Sequence, residues 1–198
     1  MNKVIYHYTS RNGLTGIMKD GVISLGIFTD PNSKTNIPKF AVNLTTSLDH
    51  RGHGLTAGEQ ITIEQANYLG GYSIGEGINK GKIFSENRIK YRLELDVSKL
   101  KLSSAKEIYK EEPELFRLLE ITGHYPLLDS KKDNDAIEIM RIFNNPLFSG
   151  QGDTWFYSFS PIPLEYSIIA VHVLNQEGTE YLACDYQQFL HYWHSENK

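Results

Sequence analysis

The sequence predicts an α+β domain with mostly antiparallel sheet, and three observations predict it. Residues 88–97 alternate strictly, with Ile89, Tyr91, Leu93, Leu95 and Val97 on one face and Arg88, Lys90, Arg92, Glu94 and Asp96 on the other. Helical spacing is concentrated in the middle of the chain, between two blocks of strand. No βα rhythm repeats, which argues against a doubly wound parallel sheet. The 198 residues, 40% apolar and 22% charged, suffice for one domain to bury its core without staples. With no internal repeat, low-complexity tract or linker in view, 1–198 is read as a single domain.

In chain order, residues 3–8 carry β-formers and suit a short strand. Thr9-Ser10 is a natural cap for a helix carrying Leu14, Ile17 and Met18, and Asp20-Gly21 stops it. Val22, Ile23 and Leu25 begin another extended piece. Residues 29–39 are loop by composition, and 40–47 read as a strand ending in hydroxyls. A Gly- and His-rich loop, 49–59, precedes a helix at 59–69. Residues 70–82 hold five glycines in thirteen positions, a long loop of the functional or mobile kind. Helices are expected at 103–121 and 132–144, with Leu115, Leu118, Leu119, Ile137 and Ile142 among the core stripe. Strands return at 154–160, 165–174 and 180–185, and Asp185 caps a last helix running through His194.

Composition excludes several classes. A net charge of −4 gives no chain-wide basic field for nucleic acid or anionic membrane. One cysteine, Cys184, excludes a disulfide framework and a cysteine-based zinc ribbon. The N-terminus shows no apolar core of signal-peptide length and no stretch approaches a membrane span, so a cytoplasmic location without membrane contact is expected. His50 and His53, and His191 and His194, stand at i, i+3 without a further ligand at recognisable spacing; no metal is expected. P-loop, HExxH, GxSxG and EF-hand patterns are absent. The glycine run resembles a phosphate cradle in composition only.

His7 stands out through its neighbours. It closes the first strand, Tyr8 and Thr9 follow, and the strand feeds directly into a helix. A histidine there is placed to bond a ligand hydroxyl, with the Thr9 hydroxyl beside its ring. Tyr6-His7-Tyr8-Thr9-Ser10, followed by Leu14, Ile17, Gly21, Val22 and Ile23, resembles the opening of the ADP-ribosyltransferase fold. The match covers about 20 residues. The resemblance takes in diphtheria-toxin-like and poly(ADP-ribose) polymerase-like members and the RNA 2′-phosphotransferases.

The resemblance implies a two-sheet, mostly antiparallel core with peripheral helices, and one site residue from each of three strands. The second strand falls at 40–47, where Leu44 and Thr45 stand in place of the polymerase-like stacking tyrosine. Tyr8, Tyr68, Tyr72 and Trp155 are the aromatic substitutes. For the third, Glu165-Tyr166-Ser167-Ile168 is similar to the polymerase-like acidic strand. Pro161 to Tyr166 also resembles the entry to the strand after the catalytic one in DNA-targeting toxins of the fold, which makes Asp153 the acid. Glu165 and Asp153 both stand as candidates.

The implied activity is NAD-dependent ADP-ribosyl transfer, a glycosyltransferase chemistry with NAD as co-substrate, of the kind found in toxins and phage effectors. Cleaving the nicotinamide–ribose bond passes through an oxocarbenium-like state that a carboxylate at the ribose 2′-hydroxyl stabilises. His7 would orient the adenosine-side ribose, and Arg11, Arg51 or Arg92 would meet the pyrophosphate. The acceptor is a macromolecule, protein or nucleic acid. The loops 49–58 and 70–82 would act as lids or acceptor readers. Alternative readings are RNA 2′-phosphate transfer, a non-catalytic nucleotide-binding module, and a partner-binding domain using His191-Tyr192-Trp193-His194.

Overall fold

The first strand, Val4–Thr9 (β1), passes straight into the helix Arg11–Asp20 (α1), as its sequence predicts. Ser10 caps that helix with its hydroxyl accepting from the Gly13 amide at 3.1 Å, and Gly21 ends it at φ 66°, a conformation glycine adopts without strain. The short strands Val22–Ile23 (β2) and Gly26–Ile27 (β3) lead to Phe40–Thr45 (β4). Gln60–Ile61 (β5), the helix Ile63–Tyr68 (α2), Ile83–Phe84 (β6) and Tyr91–Asp96 (β7) follow. Then come Ser103–Ser104 (β8), Ala105–Ile108 (α3), Pro113–Thr122 (α4), Trp155–Ser158 (β9) and Ile162–Pro163 (β10). Leu164–Ser167 (α5), Ile168–Leu174 (β11), Tyr181–Asp185 (β12) and Tyr186–Glu196 (α6) complete the chain. This computed structural model describes residues 4–29, 31–32, 34–68, 83–122, 134 and 151–196. The glycine-rich loop expected at 70–82 lies outside them, as does the helix expected at 132–144 apart from Asn134.

The architecture is α+β with antiparallel pairing throughout its main sheet. Strands run β12-β11-β7-β1-β4-β9-β8, with β3 added along β4. Alternation splits each strand between two cores. One face carries Ile5, Val42, Leu44, Leu93, Leu95 and Val171, packed with Leu14 and Ile17 of α1 and Phe189 of α6. The other carries Ala41, Trp155 and Tyr157, packed with Phe28, Tyr109, Leu115 and Leu119.

Three elements depart from expectation for local reasons. The helix expected at 103–121 breaks in two. Ser104 and Glu107 form a capping box that starts α3 after β8, and Pro113 opens α4, where its missing N–H costs nothing. Residues 164–167 form a helical turn before β11 begins. The helix expected at 59–69 contracts to α2, because Thr62 and Gln65 bond each other's amides and fix the start (2.8 and 3.2 Å).

Asp185 caps α6 as expected, its carboxylate accepting from the Gln187 amide at 2.9 Å. Trp193 packs on the core, 5.8 Å from the Phe189 ring, so the tryptophan of the 191–194 segment is a core residue. Among the described residues no helix is long and apolar enough to cross a membrane.

Candidate functional site

β1 stays in register with β7 from Val4↔Asp96 to Thr9↔Tyr91, but meets β4 at Tyr6↔Thr45. Farther along β4, the same edge is taken by β3, at Gly26↔Ala41 and Ile27↔Phe40. Between those two partners the β4 edge is open, and the His7 ring stands at the opening. Its Nδ1–H donates to the Asn43 carbonyl at 2.9 Å. That bond leaves Nε2 as the ring's acceptor. Burial holds the His7 pKa below the usual imidazole range, only partly offset by the carbonyl, so the ring is neutral at neutral pH.

Thr9 and Ser10, both buried, carry the chain from β1 into α1. The turn is tight: a Cβ on Gly13 would stand 2.2 Å from the Thr9 hydroxyl. Gly13→Ala is therefore expected to displace Thr9 and lower stability by about 1–3 kcal/mol, read by urea denaturation. An unchanged midpoint would mean the Thr9 side chain simply rotates away.

The structure divides the remaining residues proposed from the sequence. Arg11 is exposed at the first turn of α1. Tyr8, Thr45 and Trp155 project from the opposite face of the sheet to His7 and Thr9. Thr45 is engaged by the Thr154 hydroxyl (2.9 Å) and the Ser47 amide (3.0 Å), and Trp155 donates its Nε1–H to His53 Nδ1 at 2.6 Å.

Glu165 is exposed on α5, where the Leu164 amide donates to the Gly21 carbonyl at 3.0 Å. That is the far end of α1, roughly 15 Å of helix from His7. Asp153 precedes β9, its carboxylate exposed and paired with Lys106, which raises the lysine's pKa. The β1-β4-β9 order puts Asp153 about 10 Å along and about 10 Å across the sheet from His7.

Sequence reasoning missed a cluster on the opposite face. Arg92, which the sequence places on the charged face of its strand and offers as a pyrophosphate partner, is 7% exposed. Its Nη2 donates to His172 Nδ1 at 3.1 Å, and His172 Nε2–H donates to Glu94 Oε2 at 2.8 Å. The rings of Tyr6 and Tyr181 flank the guanidinium, 4.9 and 4.4 Å from its carbon.

The chain from Thr46 to Gly54 straps over this cluster. Its Leu48 carbonyl accepts from the Tyr8 hydroxyl at 2.9 Å and from Arg92 Nη1 at 3.3 Å. His53 fastens the far end, with Nδ1 accepting from Trp155 and Nε2–H donating to the Asp49 carbonyl at 2.9 Å. Burial drives the His53 pKa down to about 4. The available signal was the charge on residues 92 and 94 together with a histidine in an apolar strand.

Among the described residues no group of three or more His, Cys, Asp or Glu is arranged to hold a metal ion. Comparison with protein-family models, with curated proteins and with solved structures finds no match to this chain.

Proposed function

We propose that the chain is an NAD-consuming ADP-ribosyltransferase whose dinucleotide lies along the opening between β1 and β4. The observation that carries this reading is the adjacency of β1, β4 and β9. The resemblance asks for three motif strands that cooperate in one site, and these three lie side by side. In this reading the neutral His7 accepts a ribose hydroxyl at Nε2, its ring pinned by the Asn43 carbonyl. Arg11, exposed at the start of α1, meets the pyrophosphate with the helix dipole behind it. Asp153, rather than Glu165, is the acid. It leads into the third adjacent strand. To act, it must exchange Lys106 for a ribose 2′-hydroxyl, where it would stabilise the oxocarbenium-like charge.

Proton NMR of NAD incubated with the protein tests the proposal. Free nicotinamide is expected to accumulate, with the rate reduced roughly a hundredfold or more by Asp153→Asn, strongly by His7→Ala and little by Glu165→Gln. Wild-type turnover from Asp153→Asn would remove the acid assignment, and absence of both binding and cleavage would remove NAD. The pairing of Asp153 with Lys106 favours a second reading, a nucleotide-binding module without turnover. Broadened NAD signals that persist without nicotinamide release, with lysate or RNA present as acceptor, would select it.

A further inference from the structure

The cluster under the strap has donors without adequate acceptors. Arg92 is 93% buried by its 7% exposure, and its Nε–H finds no hydrogen-bond partner. Its Nη1 reaches only a peptide carbonyl, at 3.3 Å, long for a charge-assisted bond. Among the described residues no carboxylate touches the guanidinium directly, since His172 stands between it and Glu94. The Tyr8 hydroxyl converges on the same Leu48 oxygen. One neutral oxygen thus receives a cationic donor and a hydroxyl donor, with a further N–H buried and unmatched beside it.

That oxygen belongs to an exposed crossing segment. The strap is one chain thick, Leu48 faces solvent with 59% of its surface, and Gly52 and Gly54 turn the chain at φ 78° and 66°. We infer that the Tyr8 and Arg92 donors form an oxyanion site, occupied in this state by the Leu48 carbonyl and opened when the strap lifts. The ligand is a phosphate-type oxyanion, free or as part of a larger phosphorylated molecule. A charged oxygen makes a stronger partner than a peptide oxygen for a desolvated guanidinium. The Tyr6 and Tyr181 rings, 4.9 and 4.4 Å from the guanidinium carbon, add cation–π contacts that hold Arg92 in place but supply no hydrogen-bond acceptor for its N–H groups. Because Tyr8 and Arg92 face away from His7, this site is separate from the β1–β4 opening and does not depend on NAD chemistry.

The chain has two tryptophans, so Trp193→Phe leaves Trp155 as the reporter, and Trp155 is bonded to His53 at the strap's end. Sodium phosphate, pyrophosphate and acetate are titrated at constant ionic strength, following emission and trypsin cleavage after the exposed Arg51. Pyrophosphate or phosphate is expected to give a saturable red shift below about 10 mM and faster cleavage at Arg51. Saturation by phosphate alone would indicate a free-ion site, and a preference for pyrophosphate would indicate a larger phosphorylated ligand. Tyr8→Phe keeps the ring and removes one donor, and should weaken binding roughly tenfold. Arg92→Lys should abolish saturation; where that variant fails to fold, Tyr8→Phe decides. An absent transition, a change reproduced by acetate, or a midpoint indifferent to Tyr8→Phe overturns the site. NAD turnover is measured separately and is unaffected by any of these results.

Discussion

Acidification from pH 6.5 to about 4 is expected to remove about 3 kcal/mol of folding stability through His53. The sign follows from the two states. In the unfolded chain the imidazole protonates near 6.5, whereas in the fold burial holds it neutral to about 4. As pH falls through this window the unfolded state binds the proton first, so stability present above 6.5 is progressively lost and levels off below 4. The geometry gives the same direction. Nδ1 accepts the Trp155 N–H at 2.6 Å, and a proton there would set donor against donor.

His7 and His50 are also held below their usual values by burial, so they add slope of the same sign. His53→Phe isolates the one contribution. Urea midpoints collected every half pH unit should show a wild-type slope steeper than the variant's by up to about 1.4 kcal/mol per unit. Parallel curves would mean that His53 titrates freely in the fold.

Truncating His172 is expected to be costlier. His172→Ala removes the group that accepts from Arg92 and donates to Glu94, leaving a buried guanidinium and a carboxylate uncompensated. Breaking buried charge networks in this way costs about 3–5 kcal/mol. His172→Gln supplies an amide with one acceptor and two donors, so it should recover part of the loss. Chemical denaturation of the three proteins decides it. A cost below about 1 kcal/mol for the alanine variant would show that water or the strap compensates Arg92.

Much of the architecture was legible wherever local chemistry specifies an element. Ser10, Gly21 and Asp185 mark helix ends by side chains and a backbone conformation that need no tertiary partner. The alternation in β7 is equally local, and Leu93 and Leu95 are fully buried as it requires. The Arg92 environment was not legible. A period of two states that residues 90, 92 and 94 share a face, but not what covers that face. The cover is an aperiodic strap, and the decisive partner is His172, eighty positions away.

The gap at His7 has the same character. Its histidine is visible in the sequence, while its anchor is a main-chain carbonyl that any residue at 43 would provide. Glu165 kept company with a suggestive tripeptide. The preceding Ile162–Pro163 pairs with β2, which carries the glutamate to the other end of α1.

The central position of β1 has a consequence for biosynthesis. Its neighbours are β7, which ends at Asp96, and β4, whose outer edge waits for β9 at Trp155–Ser158, while the outer edge of β7 waits for β11 at Ile168–Leu174. A growing chain therefore makes its middle strand first and the strands that enclose it last. Until residue 174 has left the ribosome, β4 or β7 presents a bare hydrogen-bonding edge beside apolar residues such as Leu44 and Leu95. The pairing edges of β4 and β7 are thus satisfied later than the strand between them, and for that interval they are open to strand addition.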